Sequence, residues 1–251
     1  MGVEVGLPIV QAGGGLLFRI LKEWLKDCDE CHTNHKFASD EKELPTRVLD
    51  VKGPGLRLYR SKVGEHGKYM ALSHRWGEDE HRRPLSTLTW NEKAFCKSID
   101  FQHLPKTFQD AVEVTRELNI RYLWIDSLCI LQDDNRDWET ESRRMEAIFA
   151  NAFCTIAATS AKDSWDGFLV RQSIKQSVKL VDSSVNPPLS VYACEVGGNF
   201  DNDVGSAELN QRAWVLQERA LSPRTIHFTA TQTYWECGSV IRCDNLVQMV
   251  K

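Results

Sequence analysis

The chain has 251 residues, 42% hydrophobic and 26% charged, with a formal net charge of −4 at pH 7. This balance describes a soluble globular chain holding one large domain. The weak negative charge excludes a global field for nucleic acid or anionic lipid. No apolar run reaches the roughly 20 residues that span a bilayer, so no membrane partner is expected either. The opening MGVEVGLPIVQAGGG lacks a basic stretch ahead of its apolar residues and does not read as a signal peptide. A cytoplasmic location is therefore expected. Of eight cysteines, Cys129 and Cys154 lie inside apolar runs, which suits buried thiols in a reducing compartment.

Leu16, Leu17, Ile20, Leu21, Trp24 and Leu25 form the apolar stripe of a helix over 16–27, after flexible glycines at 13–15. CDECHTNH follows. Its Cys28, Cys31, His32 and His35 are zinc-ligand types, but no second half-site follows at finger spacing, so a solvated helix end is expected and no metal. Residues 1–43 thus read as a helix and polar loop ahead of a main domain at 44–251. LPTRVLDV (44–51) and LRLYRS (56–61) flank Gly53-Pro54-Gly55, which predicts a hairpin or edge pair. YMALS (69–73) is a compact strand that runs into His74-Arg75-Trp76-Gly77. Pro105 opens a helix through Leu118, with Phe108, Ala111, Val112 and Thr115 inward and Asn119 as its stop.

The next stretch, 122–158, organises the rest. A short apolar run ends at Asp126, a polar loop carries Asp133, Asp134 and Asn135, a helix spans 135–151, and a second apolar run fills 153–158. Strand, helix, strand in this order predicts a parallel sheet flanked by helices, with its α/β core over about 69–160. The last third changes character. LSVYAC (189–194) alternates like a strand, RAWVLQERALS (212–222) reads as a short helix, and TIHFT and TYWEC form a hairpin. An antiparallel β-rich lobe over about 161–251, laid against the parallel sheet, is expected.

In such sheets ligands bind beyond the carboxyl ends of the strands. Those ends carry Ser73, His74, Arg75 and Trp76, then Asp126. On the following helix, Trp138, Met145, Ile148 and Phe149 share a face with Glu141, which turns that carboxylate toward the core or a cleft. Two readings stay open. Glu141 is either paired with an arginine such as Arg144, one turn on, or free for a ligand. RAWVLQER poses a similar choice. A strut with internal ion pairs is the favoured reading, and Arg212 or Glu218 completing the cleft is the other. A hydrolase built on Ser73 and His74 is disfavoured, because neighbours on a strand point to opposite faces. Cys129 lies in an apolar context that makes a thiol inert.

YMALSHRWG, LPKTFQDAVEVTRELNIRYLWIDSLCILQDD, DWETESRRMEAIFANA, CTIAA and RAWVLQERALSPR with WEC together resemble the heterokaryon incompatibility (HET) domain of filamentous fungi. The resemblance spans roughly residues 44–237. It implies a role in fungal non-self recognition that ends in growth arrest and cell death. It also implies sensor or regulatory regions in a longer chain or a partner protein. The family is suggested to be distantly related to Toll/interleukin-1 receptor (TIR) domains, which implies a flavodoxin-like sheet. Some TIR domains cleave the nicotinamide–ribose bond of NAD with a helix glutamate placed shortly after a Trp. Trp138-x-x-Glu141 is similar, one residue shorter in spacing, which implies Glu141 as the catalytic group. Ser73, His74, Arg75, Trp76, Asp126 and Trp138 are then the substrate-binding set, with Trp76 stacking on a ring and Arg75 meeting a pyrophosphate. No cofactor is expected, NAD being a substrate. The alternative is a non-enzymatic TIR-like signalling domain that acts by self-association and partner recruitment.

Overall fold

The structure is a computed structural model that describes residues 13–31, 41–53, 55–79, 82–170, 177–182, 184, 189–194, 199–245 and 248–249. The chain runs α1 (Gly15–Cys31), β1 (Lys42–Glu43), β2 (Arg47–Asp50), β3 (Arg57–Arg60), β4 (His66–Gly67), β5 (Tyr69–Ser73), α2 (Glu92–Phe95), α3 (Lys106–Glu117) and β6 (Tyr122–Trp124). It continues through α4 (Asp126–Cys129), α5 (Asn135–Asn151), β7 (Cys154–Ala157), β8 (Ser177–Asp182), β9 (Leu189–Cys194), α6 (Ala213–Leu221), β10 (Arg224–Phe228), β11 (Thr233–Cys237), β12 (Ile241–Cys243) and β13 (Gln248–Met249).

Nine strands form one mixed sheet in the order β13-β12-β11-β10-β7-β5-β6-β2-β3. The inner four, β10, β7, β5 and β6, are parallel, and every other pairing in this sheet is antiparallel. In chain order these four lie 2-1-3-4 across the sheet. Their side chains are buried throughout, which is why YMALS, CTIA and RTIHF read as near-continuous rather than alternating runs. The expected β-rich lobe is corrected. β10 pairs in parallel with β7, so the C-terminal hairpin and β12 continue the same sheet instead of packing against it. Only β8 and β9, among the described residues of that region, make a separate ladder.

Right-handed crossovers place α3 and α5 on opposite faces, because β6 lies on one side of β5 and β7 on the other. Side chains agree. Tyr69 of β5 donates its hydroxyl to the Ile148 carbonyl of α5 at 2.6 Å, whereas Phe108 of α3 meets His74 edge-on at 5.1 Å. Trp124 and Phe149 close the α5 face, rings 5.7 Å apart, and burying each contributes about 1.5–3 kcal/mol. α6 lies beside α5, and just past its end the Ser222 hydroxyl shares a hydrogen bond with Thr155 of β7 at 2.7 Å. On the other face α1 lies near α3, with Lys22 3.8 Å from Glu117, and is tied to β10 by Asp29 with Arg224 and to β12 by Asp27 with Arg242. α1 runs to Cys31, further than its stripe predicted. His32 and His35 lie outside the described residues.

One local signal works as expected. Asn119 adopts φ 62°, the left-handed stop for α3. Gly77, at the end of SHRWG, has φ 92°, and a Cβ there would lie 2.7 Å from Asp163 Cβ. Cys129 and Cys154 are buried and reduced, and burial raises each thiol pKa to about 12.

Candidate active site

β5 and β6 are parallel neighbours, so the residues that follow them, His74 to Trp76 and Asp126 onward, emerge on one edge of the sheet. A cleft of about 620 Å³ opens there. His74, Trp76, Trp124, Asp126 and Gln132 form its floor, α5 supplies one wall, and α6 with its N-cap Arg212 supplies the other. The α5 wall carries Trp138, Ser142, Arg143, Glu146 and Phe149, a spacing that stacks successive turns on one side of a helix. Trp214, Gln217 and Glu218 make the α6 wall.

Asp126 is held firmly. Trp76 Nε1 donates to its Oδ2 at 2.8 Å and the Ser127 amide donates to Oδ1 at 2.6 Å. Gln132 Nε2 donates to the Asp126 carbonyl at 3.2 Å. His74 is 5% exposed, with Nδ1 3.9 Å from Asp126 Oδ1 and no partner at Nε2. Burial lowers its pKa, only partly opposed by Asp126, so the ring is neutral at pH 7. Arg212 Nη1 donates to the His74 carbonyl at 3.1 Å. Glu218 Oε2 accepts a hydrogen bond from the Ser73 hydroxyl at 2.5 Å. No cation is paired with it among the described residues, and burial, reinforced by Asp126, pushes its pKa up to about 7. Glu146 and Arg143 are exposed and make no hydrogen bond or ion pair with described residues.

Of the residues predicted from sequence, His74, Trp76, Asp126 and Trp138 line this cleft, and Ser73 reaches it through Glu218. Trp138 is half exposed rather than buried in the helix stripe. Arg75 does not line it. Its guanidinium pairs with Glu208, so a pyrophosphate contact from Arg75 is corrected. Glu141 follows the paired reading, with Arg144, and its implied catalytic place in the cleft is corrected. It is 3% exposed, accepts the Thr46 hydroxyl at 2.7 Å and lies 3.6 Å from Arg144 Nη1. At 100° per residue Glu141 stands about 90° around α5 from the centre of the cleft stripe, on the side of Asp137, Arg144 and Ile148. Its carboxylate is thus spent on Thr46 and Arg144.

The carboxylates that do face the cleft are Asp126, Glu146 and Glu218. Sequence reasoning gave Glu146 no role and favoured a strut for Glu218. The strut is present too: Arg219 chelates Glu236 at 2.7 and 3.1 Å while Glu218, its neighbour, faces away into the cleft. The i, i+4 series Trp138, Ser142, Glu146 was the available signal for Glu146.

The family model described as "Heterokaryon incompatibility protein (HET)" matches residues 69–218, more than half of the chain. The chain belongs to this family. That stretch contains every cleft element, from the start of β5 to Glu218. A relative, "Heterokaryon incompatibility protein 6, OR allele" of Neurospora crassa, is 29% identical over 173 residues, 66% of this chain. The match covers 22% of that protein, so this HET chain spans about a fifth of its relative's length. No solved structure matches. No helix among the described residues is long and apolar enough to cross a membrane.

Proposed function

We propose that this HET domain is the death effector of a fungal heterokaryon incompatibility system, and that it acts by hydrolysing the N-glycosidic bond of NAD or a related nucleotide in the cleft. The relative's name supports the biological role. The cleft composition supports the chemistry: four tryptophans, 76, 124, 138 and 214, line a single cavity with three carboxylates. Tryptophan faces stack on planar bases and nicotinamide. Breaking an N-glycosidic bond develops positive charge on the ribose, which a fixed carboxylate stabilises. Asp126 is fixed by Trp76 and Ser127, and Glu146 is free to accept ribose hydroxyls. Arg143, exposed and without a partner among the described residues, suits a phosphate. The volume is within the range of small-molecule sites. The 2-1-3-4 order of the parallel strands is that of flavodoxin-like sheets and supports, by analogy, the TIR kinship.

The test is incubation of the purified domain with NAD and NADP, with free nicotinamide as the readout. Wild type releases nicotinamide, and Asp126→Asn and Glu146→Ala lose release while melting as wild type. Release that survives both substitutions rejects the cleft as the reaction site. One observation favours the signalling alternative: Leu216, on the side of α6 away from the cleft, is 67% exposed, an apolar side chain that self-association would cover. A domain that releases no nicotinamide at any concentration, and dimerises through α6, supports that alternative.

A further inference from the structure

We infer that Glu218, held by Ser73 on the α6 wall of the cleft, is the proton donor to the departing base, so that the cleft also accepts nucleotides whose base is uncharged, such as adenine nucleotides. The inference rests on the glycoside-hydrolase reading above and deepens it. Nicotinamide leaves NAD as a neutral molecule and needs no proton. Adenine leaves as an anion unless a proton reaches a ring nitrogen as the bond breaks. A site for NAD alone therefore has no use for an acid that keeps its proton, whereas the surroundings of Glu218, partly buried and bonded to a neutral hydroxyl, favour one.

Three features set Glu218 apart from the other cleft carboxylates. Its one hydrogen-bond partner among the described residues is a neutral hydroxyl, Ser73, at 2.5 Å, whereas Asp126 receives a backbone amide and an indole N–H. It is partly buried, whereas Glu146 is exposed. A second acid of the cleft, Asp126, opposes its ionisation, so keeping one proton lessens the repulsion between the two carboxylates. The other charged or titratable groups around it are Arg212 from its own N-cap, neutral His74 after β5, and Arg143 and Glu146 across on α5. Of these, Arg212 favours the ionised form, too weakly to outweigh burial.

The step balances. The C1′–N bond breaks and its electron pair passes to the base nitrogen, which takes the Glu218 carboxyl proton. Asp126 and Glu146 stabilise the ribosyl cation. Water then adds to C1′ and its released proton restores the Glu218 carboxyl. The net reaction is hydrolysis to free base and ribose phosphate, with no oxidant or reductant.

The experiment compares two substrates on one protein: nicotinamide release from NAD and adenine release from ATP or ADP-ribose, across pH 5–9. For wild type the adenine rate falls as pH rises through about 7, where Glu218 loses its proton, relative to a nicotinamide rate without that limb. Glu218→Gln lowers the ratio of adenine to nicotinamide release about 100-fold, the usual worth of a general acid. Ser73→Ala shifts the adenine limb to higher pH, because the Ser73 hydroxyl favours the ionised carboxylate. Nicotinamide release with no adenine release by wild type overturns this inference and leaves the NAD reading intact. An unchanged ratio in Glu218→Gln also overturns it. Release of neither base rejects both.

Discussion

α5 presents two polar faces a quarter of a turn apart, and they treat acids in opposite ways. On the side toward β2, Asp137 pairs with buried Arg47, and Glu141 is enclosed by Thr46 and Arg144. On the cleft side Glu146 has no described partner, and across the gap Glu218 meets only a serine hydroxyl. Acids on the first face hold the chain together. Those on the second are left unpaired, and unpaired carboxylates in a cleft mark a functional site better than buried ones do. Burial alone was a misleading guide, because it pointed to Glu141.

The largest effect should come from Arg47, which is 3% exposed, donates Nε to the Cys129 carbonyl at 2.8 Å and pairs with Asp137. Arg47→Ala strands a buried carbonyl and a partly buried carboxylate, and chemical denaturation should show a loss of about 3–5 kcal/mol. Glu141→Ala comes next. It removes one hydrogen bond and an ion pair whose Arg144 end is exposed, for a loss of about 1–3 kcal/mol by the same measurement. A wild-type melt for Glu141→Ala would erase the contrast between the faces.

Glu218 should behave with the opposite sign. Its pKa rises from 4.5 in the unfolded chain to about 7 on folding, so the stability tied to its proton is complete below pH 4.5 and is lost as pH rises through 7. Glu218→Gln keeps an acceptor for Ser73 without the charge. At pH 8 it should stabilise the fold by roughly 1–3 kcal/mol, and at pH 4 by almost nothing. Thermal melts at the two pH values check this, and a variant less stable at pH 8 would show that the carboxylate is compensated after all. The smallest effect is expected at Glu146→Ala, within about 0.5 kcal/mol of wild type, since the side chain is exposed and unpaired.

Much of the frame was legible in the sequence. The apolar runs of β5, β6 and β7 and the caps around α3 and α5 are local signals, and Asp134 caps α5 through the amides of Arg136 and Asp137. The parallel junction of β10 with β7 was not legible, because TIHFT and TYWEC read as a self-sufficient hairpin and nothing local says which sheet a hairpin joins. The floor of the cleft was legible for the same reason as the strands: Asp126 and His74 end apolar runs. The two walls were harder. Whether an acid on a helix is paired depends on partners distant in sequence, as Thr46 is from Glu141 and Ser73 is from Glu218.

The contrast between the two faces of α5 is tested most directly by measuring nicotinamide release from NAD per folded molecule, alongside the melting temperature, for Glu146→Ala and Glu141→Ala. The account predicts that Glu146→Ala melts as wild type and releases no nicotinamide, whereas Glu141→Ala melts lower and its folded fraction retains release. The reverse result, with Glu141→Ala stable and inactive and Glu146→Ala active, would contradict it.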